Sequence, residues 1–174
     1  MKAQAKITFR DENNNSNVTS ERKNLLTCYE NFPLKNMGCV IMASGVGKRF
    51  GENKLMADFH GTPLISHILN ITSGIFQKRV VVTRHKEVVD LCKEQNIDGI
   101  FHTLPHRNDT IRLGLEMMSE MEHCMFCTAD QPLLSQNTIA SLALSAMNDS
   151  MKIFRPAFEN TPGSPVIFPK WAFE

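Results

Sequence analysis

Residues 38–54 read GCVIMASGVGKRFGENK, and no other stretch restricts the fold of this chain as much. Cys39-Val40-Ile41-Met42 is apolar without alternation, the pattern of a strand buried on both faces, and it stops at Ser44-Gly45, where the chain must turn. Gly45, Gly47 and Gly51 follow, with Lys48, Arg49 and Lys54 among them. Glycines let a backbone approach a ligand closely and aim successive N–H groups at it, and the cations add charge that suits a polyphosphate. The stretch predicts a buried strand feeding a triphosphate cradle.

Spacing separates three kinds of phosphate loop. A dinucleotide fingerprint, G-x-G-x-x-G, fails because Gly51 comes one residue late after Gly45 and Gly47. A Walker loop, G-x-x-x-x-G-K-[ST], fails because Arg49 stands where the metal-binding hydroxyl belongs and no glycine lies five residues before Gly47. The pattern that fits is A-x-G-x-[GS]-x-R-[MF]-G-x-x-K, complete as Ala43, Gly45, Gly47, Arg49, Phe50, Gly51 and Lys54. It resembles the signature loop of the MobA-like nucleotidyltransferases, which make molybdenum cofactor dinucleotides, and more broadly that of the sugar and alditol nucleotidyltransferases. The resemblance covers roughly Met37 to the end of the chain.

Composition bounds the rest. A chain of 174 residues holds one domain with a substantial core. A formal charge of +1 gives no reason to expect nucleic acid or an anionic membrane as partner, and no apolar stretch reaches transmembrane length. The first residues lack a signal-peptide core and the five cysteines are odd in number, which together place the chain in the cytoplasm. Cys124-Met125-Phe126-Cys127 is a C-x-x-C, but it lies in an expected buried strand, where residues three apart face opposite ways; core packing is the better reading.

Residues 1–36 look different, with Asn13-Asn14-Asn15-Ser16-Asn17 at their centre and no sustained period. They read as a polar tail, disordered or an appended arm, with a short helix near residues 24–29. From residue 37 strands and helices alternate. Pro63 opens a helix with Leu64, Ile65, Ile68, Leu69 and Ile75 at helical spacing. A strand over 79–83, a helix over 86–95, a strand near 97–103 and a helix over 108–122 follow, the last with Ile111, Leu115, Met118 and Met121 on one face. Then come a strand at 124–128, a helix capped by Ser135, and strand candidates at 151–155 and 165–168. This order predicts an α/β fold with a doubly wound, mostly parallel sheet of the Rossmann-like type, and ligands at the strands' carboxyl ends.

Three further segments fall where that architecture needs chemistry. Thr128-Ala129-Asp130-Gln131-Pro132 ends an apolar strand in a carboxylate, which can hold Mg²⁺ against a triphosphate; it resembles the family's D-x-P motif, and the resemblance makes Asp130 the metal ligand. Residues 107–115, RNDTIRLGL, resemble the helix start of cytidylyltransferases, which implies nucleotide contacts from Arg107, Asp109, Thr110 and Gly114. The plainer reading is an ordinary N-cap followed by a packing glycine. Gly163-Ser164-Pro165-Val166-Ile167-Phe168 is similar to the family's G-[HN]-P-V-L-F segment near the acceptor, with Ser164 in place of the usual His or Asn. His85, His102, His106 and His123 show no ligand spacing and read as surface or loop residues. In the family the sheet continues into a further helix and an acidic D-[IV]-D-T-type segment that is missing before Glu174, so the C-terminal part is expected to be short.

The resemblance thus implies a Mg²⁺-dependent transfer of a nucleotidyl group from a nucleoside triphosphate to a small phosphorylated acceptor, with release of pyrophosphate. Lys54 neutralises the α-phosphate, Arg49 the leaving phosphates, Asp130 holds the metal, and Met42, Ala43, Ser44, Gly45 and Gly47 grip the triphosphate. Ala43-Ser44 stands where guanylyl-transferring relatives carry two glycines, and residues 110–115 look more like the cytidylyl branch, which favours CTP as donor; the resemblance implies molybdopterin as acceptor and molybdoenzyme-maturation partners. A CTP-dependent alditol- or sugar-phosphate transferase is the alternative within the class. A non-catalytic nucleotide-binding module is the alternative outside it.

Overall fold

The computed structural model describes residues 8–11, 14–18, 32–45 and 53–173. Its core is a five-stranded sheet built on β3 (Leu34–Ala43), β6 (Phe76–Thr83), β7 (Asp98–Phe101), β8 (His123–Thr128) and β11 (Val166–Pro169). The spatial order is β11-β8-β3-β6-β7; β3 is parallel to both β6 and β8, β7 is parallel to β6, and only β11 runs antiparallel, against β8. This is the doubly wound, mostly parallel α/β fold expected. The chain moves outward from β3 through α1 (Leu64–Ile71) to β6 and through α2 (Lys86–Glu94) to β7. It then crosses back by α3 (Arg107–Glu116) to β8, on the other side of β3, before α4 (Gln136–Met147).

Period-two alternation in β3 splits the core into two layers. Cys39, Ile41 and Ala43 face one way, into a cluster with Ile65, Ile68 and Leu69 of α1, Val88 and Cys92 of α2, and Ile139 and Leu142 of α4. Val40 faces the other way, toward Val80, Phe126 and the α3 side of the molecule. Cys124 and Cys127 fall in different layers, both buried and free, so the C-x-x-C packs the core as expected. Arg79, at a strand position beside the core, donates to the carbonyl of Leu69 at 2.7 Å and so satisfies an end group of α1. Ser135 caps α4 as expected, its Oγ accepting from Thr138 N at 3.1 Å.

The structure departs from the sequence reading in four places. α3 ends at Glu116, six residues before the expected end at 122. Met118 and Met121 are still buried, but successive i→i+3 turns carry them, and Met118 fills the space that Gly38 leaves by having no Cβ. Ile75 is buried beyond the end of α1 rather than on it. The candidate strand at 151–155 contributes only a bridge from Phe154 to Ile167, and the strand forms one step later as β9 (Pro156–Phe158). Within the expected polar tail, β1 (Thr8–Asp11) and β2 (Asn14–Val18) form a hairpin, and β1 pairs with β9 beside β10 (Thr161–Pro162). The helix expected near residues 24–29 lies outside the described residues.

Candidate functional site

The sheet's order reverses at β3, whose two neighbours belong to different halves of the chain, and at that switch point the carboxyl ends of β3 and β8 open onto a cleft of about 390 Å³. Residues 42–45 form one side, Thr128, Ala129 and Asp130 the other, and residues 105–107 with Thr110 at the start of α3 a third. A backbone bond from Ala129 N to Met42 O, 3.1 Å, carries the β3–β8 pairing one step past the sheet and sets Asp130 beside the start of the glycine-rich loop. Lys54, Arg84 and Arg107 line the cleft against the single carboxylate of Asp130, among the described residues. The resulting field favours a polyanion.

Lys54 and Asp130, 76 positions apart in sequence, form an ion pair across the mouth. Lys54 opens a short 3₁₀ turn (Lys54–Met56) fixed by buried Leu55 and by Asn53, whose Oδ1 accepts from Leu55 N at 3.1 Å while its Nδ2 reaches Glu87 at 2.8 Å. Beyond Asp130, the loop is tied to α1 by His67, whose Nε2 donates to Leu134 O at 2.8 Å. Partial burial alone pushes the Asp130 carboxyl upward; the hydrogen bond and charge of Lys54, helped by bonds from its own backbone and Thr128, outweigh this and hold it below the ordinary carboxylate range. Both side chains remain roughly a third exposed, so the pair can separate when other charges arrive.

Behind Ser44 and Thr110, which line the cleft, lies a second polar group that the sequence reading missed. His102 follows β7, its backbone N donating to Thr83 O at 3.0 Å, and its ring is buried at 6% exposure. Its Nε2 sits 2.8 Å from Ser44 Oγ and 3.2 Å from Thr110 Oγ1. Burial first, then the charge of Arg84, press its pKa below the ordinary value, against a smaller pull upward from Asp109. His123 is likewise buried, at 4% exposure, with its pKa lowered by burial. His123, buried within β8, overturns the expectation of a surface or loop residue; His102 does lie in a loop, but a buried one. The signal for His102 and Arg84 was positional: each is the first residue after a parallel strand, where such sheets gather ligand groups.

Of the residues singled out from the sequence, Met42, Ala43, Ser44, Gly45, Lys54, Arg107, Thr110 and Asp130 meet at the cleft. Gly47 and Arg49 lie outside the described residues. Gly114 is not at the cleft: it is buried against β3, and a Cβ there would come 2.5 Å from Val40 Cγ1, so it is the packing glycine of the plainer reading. Asp109 turns back to accept from His106 N at 3.0 Å, which makes it a helix-start cap. Gly163, Ser164 and Pro165 stand off the cleft, just before β11. The antiparallel register, Val166 opposite Phe126, nevertheless brings them to the same end of the sheet as Thr128. Gly163 is held there by its N–H to Pro156 O at 2.7 Å and by Arg155 on its carbonyl at 3.0 Å.

Among the described residues no three His, Cys, Asp or Glu side chains cluster as a metal cage. Mg²⁺ does not need one: it keeps several waters and takes one or two carboxylates together with substrate phosphates. An ionised Asp130 facing an anion-favouring cleft fits that donor set. No helix among the described residues is long and apolar enough to cross a membrane.

Sheet order, switch-point cleft and strand-end carboxylate define a Rossmann-like α/β fold of the nucleotidyltransferase type. Solved structures share it. Rv0371c of Mycobacterium tuberculosis H37Rv superposes with a TM-score of 0.66 over 79% of this chain and 73% of its own, at 15% identity. A cytidylyltransferase of Leptospira borgpetersenii serovar Hardjo-bovis (strain JB197) gives 0.65 over 79% and 62%, at 14% identity. The family model described as the MobA-like NTP transferase domain matches residues 39–174, and the chain belongs to that family. A protein of Aquifex aeolicus (strain VF5) named "Probable molybdenum cofactor guanylyltransferase" is 24% identical over 111 residues, covering 58% of this chain. The chain spans about half the length of that relative, 49%.

Proposed function

We propose that the chain binds a magnesium nucleoside triphosphate at the β3–β8 cleft and transfers its nucleotidyl group to a small phosphorylated acceptor, releasing pyrophosphate. The observation that carries this is the Lys54–Asp130 pair at the mouth of a cation-lined cleft: one cation for phosphate and one carboxylate for a metal, each able to leave the other. An acceptor phosphate is already anionic at neutral pH, so the reaction asks for no protein nucleophile. The acceptor oxygen bonds to the α-phosphorus, the bond from that phosphorus to the bridging oxygen breaks, and pyrophosphate leaves with the electron pair. Catalysis is then positioning and charge neutralisation.

In this scheme Lys54 turns from Asp130 to the α-phosphate, and Arg107 with the N-terminus of α3 faces the phosphates. Arg49 neutralises the leaving group and Gly47 continues the backbone grip begun by residues 42–45. Bound Mg²⁺, held through Asp130, would supply further neutralisation of phosphate charge. Residues 163–165 receive the acceptor, for which molybdopterin is the reading in keeping with the family. Such a reaction belongs in the cytoplasm.

CTP is the donor favoured by Ala43-Ser44, which stands where guanylyl-transferring relatives carry two glycines, and by the cytidylyl-like segment at residues 110–115. GTP is the second reading, supported by the name of the Aquifex aeolicus relative. Thermal stabilisation by CTP, GTP, ATP and UTP with Mg²⁺ tests the binding half, because a ligand at about a hundred times its Kd adds about 2.7 kcal/mol to apparent stability. Pyrophosphate release with molybdopterin tests the transfer. Stabilisation without release identifies a nucleotide-binding module, and no stabilisation by any nucleotide overturns the proposal.

A further inference from the structure

Ser44 and Thr110 are on opposite walls of the cleft, one at the end of β3 and the other in the first turn of α3, and among the described residues no backbone bond joins those walls directly at this level. His102 joins them. Its ring, buried between the two, places Nε2 within hydrogen-bond reach of both hydroxyls. Only Nε2 of the ring has partners among the described residues: a proton on Nδ1 would be a buried, unpaired N–H, which favours the Nε2–H form, shared between Ser44 and Thr110. In that form Ser44 Oγ accepts from the ring and is free to give its own proton to Val82 O, 3.1 Å away. Nδ1, which has no partner among the described residues, keeps a bare lone pair rather than a stranded N–H.

We infer that His102 is a positioning residue that sets the distance between the β3 wall and the α3 wall of the nucleotide site through Ser44 and Thr110. An apolar side chain of similar size would fill the same space, so what the histidine adds is the donor. Without it the two hydroxyls lose their common partner, and the wall that carries Arg107 is free to drift from the wall that carries the glycine-rich loop. The ring itself touches no phosphate; it acts by holding the groups that do. This inference rests on the nucleotide-binding reading of the cleft.

The test uses the full chain and measures Kd for CTP and GTP with Mg²⁺, with Tm recorded alongside. His102→Gln keeps a donor close to the position of Nε2; His102→Leu keeps the volume and loses the donor. His102→Leu is expected to weaken the better nucleotide about tenfold, the worth of one hydrogen bond near the upper end of the usual range, and His102→Gln to stay within about threefold. Affinity should follow the donor even where both variants lower Tm alike, which a purely structural histidine would not produce. Ser44→Ala added to His102→Leu should weaken binding by less than the product of the two single effects. Should His102→Leu not fold, His102→Asn replaces it, because its shorter amide cannot reach both hydroxyls. Equal affinity in the donor-less variant and the wild type, or equal losses with and without the donor, overturns the inference while leaving the functional reading intact. Absence of nucleotide binding by the wild type overturns both.

Discussion

Two polar constellations serve the same cleft and are built on opposite principles. Lys54 and Asp130 are charged, roughly a third exposed and joined by one contact that water and salt can replace. Ser44, His102 and Thr110 are neutral, mostly buried and joined through one ring nitrogen. A partly exposed ion pair contributes little to stability, so its partners are free to exchange each other for phosphate and metal. A buried neutral network cannot be rearranged without leaving donors or acceptors unpaired, so it holds geometry instead. The difference teaches which residues should respond to ligand and which should respond to unfolding.

The sharpest way to break this division is to remove the exposed pair. Asp130→Ala and Lys54→Ala are each expected to lower pyrophosphate release by about a hundredfold or more, as losing a charge that acts on the transition state does. Each should leave Tm nearly unchanged, since a partly exposed pair is worth roughly 0–1 kcal/mol. A large fall in Tm with modest loss of turnover would reverse the roles assigned here; calorimetry beside a pyrophosphate assay decides it.

Gly114→Ala should do the opposite. Its Cβ would press on Val40 at 2.5 Å, so overpacking should cost about 1–3 kcal/mol, a Tm lower by several degrees. Nucleotide Kd should stay within about twofold, because the residue packs α3 on β3 and is not part of the cleft wall. A selective loss of nucleotide affinity at unchanged Tm would return Gly114 to the binding residues.

The smallest effect is on pH. His102 and His123 both have folded pKa values pressed below the ordinary 6.5, chiefly by burial, so the unfolded chain takes up protons first as pH falls. Their contribution to stability is fully present above about pH 6.5, and it declines below that until the folded pKa values are reached. Denaturant unfolding from pH 8 down to 5 should show this slope. His123→Leu should flatten part of it and raise stability at pH 6 by on the order of 1 kcal/mol, because both nitrogens of that ring are buried without partners among the described residues.

What the sequence by itself determined was local. An unbroken apolar run marked β3 as a strand covered on both faces; a serine before a helical period marked the start of α4; a carboxylate after an apolar run marked Asp130 as a strand-end residue. Each is a rule about neighbours along the chain, and each held because burial and capping act over a few residues. Helix ends were less legible: the apolar side chains at 118 and 121 suit a further turn of helix as well as they suit the tight turns that actually bury them over Gly38.

Tertiary structure decided everything that depended on which strand ends became neighbours. Crossing β8 to the far side of β3 brought Asp130 to Lys54, and running β6 and β7 the other way brought Arg84 to the cleft and His102 behind its Ser44 and Thr110. Packing α3 on β3 turned Gly114 away from the ligand side and left Thr110 facing His102. Most of these contacts join residues tens of positions apart, and no periodicity encodes them. They follow from the handedness of the crossovers and from the close packing of two core layers, which only the folded chain expresses.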